Sequence, residues 1–182
     1  MLSESKKSLI LSRITHWLES VVIGLPLCPF ASKVYRAKQI DFVLVESTET
    51  HDCLEQVFLA AQKLVEGDLQ RTALVVLTDA FSNFDDYLDF FALCEALLVD
   101  TGFEGELQVA SFHPGYCFEG VPGDDAGNWT NRSPYPIVHL LTEDSVTRAV
   151  ETHPDPESIP ACNIARLNSI STSEFERLFP DK

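Results

Sequence analysis

Three residue types in this sequence carry reactive or anion-binding chemistry at suggestive positions. Cys28 stands directly before Pro29, in Leu27-Cys28-Pro29-Phe30-Ala31. Proline is favoured at the first helical position, so this spacing predicts that Cys28 caps a helix. Its sulfur would then face free N–H groups and the positive dipole end, an arrangement that favours the thiolate, with Lys33 and Arg36 a turn further on. The alternative is a small buried residue at a tight turn. His113, in Phe112-His113-Pro114, ends an apolar run and is a candidate acid/base. Arg132 is the one Arg or Lys between Arg71 and Arg148. With Asn128, Asn131, Ser133 and Tyr135 around it, it suits recognition of a carboxylate or phosphate; the competing expectation is a pairing with Asp124 or Asp125 that pins the chain. His139 completes the set of candidate binding residues, although a hydrogen-bonded strand histidine explains it as well.

Most of these candidates share one long connection. Between Phe112 and Ile137 lie 24 residues with neither helical nor strand periodicity. Connections above about 15 residues are uncommon in compact domains and are usually functional or disordered. Tyr116, Phe118, Trp129 and Tyr135 give this one apolar matter to pack, so it is expected to be ordered. Gly115, Gly120, Gly123 and Gly127 are expected to supply positive φ where the chain turns. His113, Cys117, Glu119, Asp124 and Asp125 include types that ligate zinc, but no spacing is diagnostic, and no residue is assigned to a metal. Whether a cofactor is used is not legible in the sequence.

The elements that must hold this connection are legible from periodicity. Apolar residues from Leu9 to Val22 recur at helical spacing and predict an amphipathic helix over about 5–22, with His16 beside the stripe. Strands are expected over 39–46, 72–78, 107–112 and 137–141, with helices between the first three. Asn83 and Thr142 are candidate helix caps, and Ser171-Thr172-Ser173-Glu174 reads as a capping box. Alternating prolines from Pro154 to Pro160 predict a loop. The expectation is a single α/β domain over 1–182. Its sheet would be mixed, mostly parallel, of four or five strands, with helices on both faces.

Composition narrows the partners. The 182-residue chain carries 28 Asp and Glu against 13 Lys and Arg, a net charge of -15. That balance disfavours nucleic acid and anionic membrane surfaces. No signal peptide or membrane span is legible, and the five cysteines show no CxxC pairing, so a cytoplasmic location with free thiols is expected. Oligomeric state is not encoded in any recognisable feature.

Leu27-Cys28-Pro29-Phe30-Ala31, Phe112-His113-Pro114, Asn131-Arg132-Ser133-Pro134-Tyr135-Pro136 and His139-Leu140-Leu141 together resemble a bacterial family of small proteins, domain of unknown function 1415. The resemblance covers nearly the whole chain and implies a single-domain bacterial protein, without transferring a mechanism. Locally, Cys28 to Ala31 is also similar to the active-site turn of omega-type glutathione transferases and glutaredoxin relatives, which implies mixed-disulfide chemistry. The expected function is an enzyme acting on a small anionic molecule in a cleft formed by residues 112–136. Cys28 and His113 would be catalytic; Asn128, Asn131, Arg132, Ser133, Tyr135 and His139 would bind. The alternatives are a non-catalytic ligand- or metal-binding module and a thiol-dependent redox protein using Cys28.

Overall fold

The computed structural model describes residues 2–67 and 70–179. The first helix, α1, spans Glu4–Trp17 and runs on as a π-helical segment, Leu18–Ile23. There follow α2 (Ala31–Arg36), β1 (Ile40–Val45), α3 (Thr50–Val65), β2 (Thr72–Leu77), α4 (Phe84–Asp100) and β3 (Leu107–Phe112). The long connection leads to β4 (Ile137–Thr142), then α5 (Glu143–Thr152), α6 (Ile159–Asn168) and α7 (Thr172–Leu178).

The expected caps form. The Asn83 side chain accepts from the N–H groups of Asp85 and Asp86, Thr142 from Ser145, and Ser171 from Glu174. Each satisfies an otherwise orphaned donor of a first turn. The expected loop near Pro160 is corrected, because Pro160 lies in the first turn of α6, where a missing N–H costs nothing.

The sheet order is β1-β2-β4-β3. Strands β1 and β2 pair in parallel, while β4 is antiparallel to both of its neighbours, β2 and β3. The sheet is therefore mixed, with one parallel pairing, and less parallel than expected. The physical reason is that β3 and β4 are joined without a crossover helix. The chain returns as a wide hairpin, and hairpin partners must be antiparallel. Three strands still share one direction, so the connection 113–136 sits at the end of the sheet where they finish, following Phe112 of β3 and reaching β2 where the Leu77 N–H donates to the Pro136 carbonyl.

Alternation divides the sheet between two cores. Ala73, Val75 and Leu77 of β2 face one side, with Val57 and Leu64 of α3 and Tyr87, Phe90 and Cys94 of α4. Leu74 and Val76 face the other, with Ile10, Ile14 and Trp17 of α1, Leu167 of α6 and Leu178 of α7. Covered on both faces, every residue of β2 is buried, which is why that strand reads as one apolar run.

Where β3 and β4 diverge into the connection, a buried tyrosine from α4 completes their pairing. The Tyr87 hydroxyl donates to the Ile137 carbonyl at 2.7 Å and accepts from the Phe112 N–H at 3.2 Å. Burial raises its pKa, so it stays protonated and able to bridge the two strand ends.

Candidate functional site

The connection 113–136 is ordered by its own polar groups. Asn128, fully buried, accepts from the Phe118 N–H at 2.9 Å and donates through Nδ2 to the Pro122 carbonyl at 2.8 Å. Asn131 donates to the Ser111 carbonyl at 3.1 Å, and its own carbonyl accepts from the His113 N–H at 3.1 Å. Ser133 gives its hydroxyl to the Tyr135 carbonyl at 2.5 Å. Among the four glycines expected to supply positive φ, Gly120 alone does so, at 71°. Gly127 is required for another reason: a Cβ there would stand 3.0 Å from Asp125 Oδ1 and 3.3 Å from Ile164 Cγ1, because α6 packs directly on this part of the connection.

His113 belongs to this framework. It is 1% exposed and packs against the rings of Phe84 and Tyr87. A carbonyl only accepts, so the 2.9 Å contact with the Phe81 oxygen places the proton on Nε2; Nδ1 accepts from the Gly115 N–H, also at 2.9 Å. Burial lowers its pKa, partly opposed by the bond to Phe81. Both ring nitrogens are spent, so this imidazole has no free position for proton transfer to a ligand.

Arg132 is pinned too, though not to a carboxylate. Its Nε donates to the Tyr116 carbonyl at 3.0 Å and its Nη2 to the Gly123 carbonyl at 2.8 Å. The guanidinium lies 4.4 Å from the centroid of the Trp129 ring, a cation–π contact. Its backbone carbonyl accepts from the Trp17 indole N–H at 2.9 Å, which ties the connection to α1. The expected pairing with Asp124 or Asp125 does not occur, because backbone carbonyls hold the fork instead. Among the described residues, Nη1 has no hydrogen-bond partner. Burial lowers the guanidinium pKa, but an arginine stays cationic.

A cleft of about 400 Å³ opens where these elements meet. Ser12, Arg13, His16 and Trp17 of α1 form one wall; Pro114, Trp129, Arg132, Ser133 and Pro134 form the second; Leu178 and Phe179 close the third. Among the described residues, no Asp or Glu lines it, in a chain with 28 of them. Arg13 reaches the Tyr135 hydroxyl through Nη1 at 3.4 Å. His16 Nδ1 lies 3.3 Å from the Ser20 hydroxyl, and the ring is exposed on the cleft side of α1.

Of the expected binding residues, Arg132 and Ser133 thus line the cleft, Tyr135 touches its rim through Arg13, and Asn128 and Asn131 brace it from behind. His139 lies elsewhere, on the sheet face covered by α1. The Thr72 hydroxyl donates to the Leu140 carbonyl at 2.6 Å, so it accepts from His139 Nε2, also at 2.6 Å. Burial lowers the pKa of that histidine to about 4. The two histidines flank opposite faces of the sheet and share no cleft.

Cys28 also lies apart from the cleft lining, packed against the α1-side core. Helix α2 starts three residues later, at Ala31, with Phe30 in the cap position. The expected cap at Cys28 is corrected: Cys28 offers its carbonyl to the Ala31 N–H at 3.3 Å, so residues 28–31 turn before the helix begins. Helical residues, not a strand, precede this turn. Among the described residues, no group of three or more His, Cys, Asp and Glu is placed to hold a metal ion.

Cleft, connection and sheet all fall within the stretch that comparison with known families recognises, save for two residues. The family model described as "Protein of unknown function (DUF1415)" matches residues 9–177. The chain belongs to this family. Leu178 and Phe179, at the third wall of the cleft, lie just beyond the match. No curated protein and no solved structure matches the chain. Among the described residues, no helix is long and apolar enough to cross a membrane.

Sequence reasoning missed the α1 wall. Arg13, His16 and Trp17 have the i, i+3, i+4 spacing of one helix face, and that polar edge of the apolar stripe was the available signal. What it lacked was the non-local fact that the edge faces Arg132.

Proposed function

We propose that this protein binds a small anionic molecule in the cleft between α1, the connection 113–136 and α7. The observation that carries the reading is the lining. Arg13, Arg132 and His16 surround one aromatic cleft to which, among the described residues, no Asp or Glu contributes, in a chain of net charge -15. Clefts of a few hundred Å³ with apolar walls and a few converging polar groups are the usual form of small-molecule sites. Arg132 is suited to the role because two of its nitrogens are anchored. The third can meet a ligand without losing side-chain freedom that is already lost.

If the cleft also performs a reaction, proton transfer falls to His16, the imidazole that lines it, rather than to His113. Cys28 has no part in this reading, since it neither lines the cleft nor caps a helix. Binding is tested by following NMR shifts while benzoate is added. Saturable shifts of α1 and residues 129–134, lost in Arg132→Gln, are expected. Shifts that are absent with benzoate, acetate and inorganic phosphate alike, or unchanged by the substitution, would remove the reading.

A further inference from the structure

We propose that the ligand of this cleft is a ring-bearing monocarboxylic acid, with its carboxylate at Arg132 Nη1 and its ring against the aromatic walls. The inference rests on the anion-binding reading above and narrows it to a chemical class.

The head group follows from a count of donors. Of the Arg132 fork, Nε and Nη2 are committed to the carbonyls of Tyr116 and Gly123, which leaves Nη1. The Ser133 hydroxyl is committed to the Tyr135 carbonyl at 2.5 Å. Ser12, Arg13 and His16 stand across the cleft on α1, where Arg13 already reaches the Tyr135 hydroxyl and His16 Nδ1 the Ser20 hydroxyl, and Arg13 adds positive charge from the rim. A phosphate dianion presents three strong acceptor oxygens and is normally met by several N–H groups or a helix N-terminus. A carboxylate needs fewer donors and only one compensating charge. The cleft matches the smaller demand.

The body follows from the walls. Trp17, Trp129 and Phe179 supply rings, and Pro114 and Pro134 supply rigid flat surfaces. These rings are already locked: Trp17 by its indole bond to the Arg132 carbonyl, and Trp129 between Arg132 and the rings of Phe175 and Phe179. With the Trp129 ring already held on its sides and Trp17 and Phe179 mostly buried, the walls offer ring edges and fixed apolar surface, which favour a rigid planar guest that gives up little internal freedom. A flexible acyl chain would lose rotamer freedom on entering. A bare inorganic anion would leave the apolar walls uncovered.

Calorimetric titration of the full chain with 2-naphthoate, 2-naphthamide, decanoate, acetate and inorganic phosphate tests this. 2-Naphthoate is expected to bind at least about tenfold more tightly than each of the others. Arg132→Gln is expected to weaken it by at least about tenfold, the scale of one charge-assisted hydrogen bond. Because Arg132 also braces the connection, Arg13→Gln serves as a second variant at an exposed site and is expected to weaken binding without changing the circular dichroism. Acetate or phosphate binding as tightly as 2-naphthoate, with loss in the variants, would overturn the ring-acid class and leave anion binding intact. Decanoate binding as tightly would overturn the ring preference. 2-Naphthamide binding as tightly as the acid, or no binding by any of the acids and anions, would overturn the anion reading itself.

Discussion

Acid should destabilise this protein through His139, and the size of the effect follows from where that imidazole sits. It lies partly buried on the α1 face of the sheet, donating to Thr72, and desolvation there lowers its pKa from 6.5 to about 4. In the unfolded chain an ordinary histidine takes up its proton near pH 6.5. Between those values the unfolded state binds more protons than the folded state, so stability rises with pH there and is lost on acidification. With a tenfold difference in proton affinity equal to about 1.4 kcal/mol, the loss is about 2 kcal/mol at pH 5 and about 3 kcal/mol by pH 4, and it levels off below. His139→Gln keeps a donor for Thr72 but cannot be charged. Urea unfolding of both proteins from pH 7.5 to 4 isolates the effect, because carboxylates and His113 are common to the two. The stability difference between them should shift by about 3 kcal/mol in favour of the glutamine variant as pH falls. Parallel curves, or an NMR titration of His139 near 6.5, would refute the reasoning.

Two other expectations are independent of the ligand. Asn128→Asp replaces the donor that meets the Pro122 carbonyl with an acceptor in a fully buried site, so a loss of about 2–3 kcal/mol in chemical denaturation is expected; a change under 0.5 kcal/mol would contradict the bracing role. Alkylation by iodoacetamide, followed by mass spectrometry, should label the exposed Cys162 early and the buried Cys53 and Cys94 last, with burial raising both of their pKa values and holding Cys94 near 12. Early labelling of Cys94 would contradict the packing of α4.

The elements were largely legible because their signals are local. Asn83, Thr142 and Ser171 announce helix starts through side chains that reach a neighbouring turn. The all-apolar run of β2 correctly announced a strand covered on both faces. The order of the strands was not legible, since nothing local in β4 says that it inserts between β2 and β3. The length and order of the connection could be read from its aromatics and asparagines. Its partner could not: the cleft exists because Trp17 of α1 bonds to the Arg132 carbonyl, across 115 residues of sequence. His113 misled for a related reason. Its type suggested catalysis, whereas the Phe81 carbonyl and Gly115 N–H that occupy it come from backbone whose path no residue type records.

The most direct test of anion binding uses the indole N–H groups of the two tryptophans, Trp17 and Trp129, both of which line the cleft. Their cross-peaks in a proton–nitrogen correlation spectrum can be followed while 2-naphthoate and then 2-naphthamide are added. Both peaks should move saturably with the acid, that of Trp17 through its bond to the Arg132 carbonyl, and stay in place with the amide. Indole peaks that respond equally to acid and amide, or that ignore the acid and also acetate and inorganic phosphate, would contradict a cleft built for an anion.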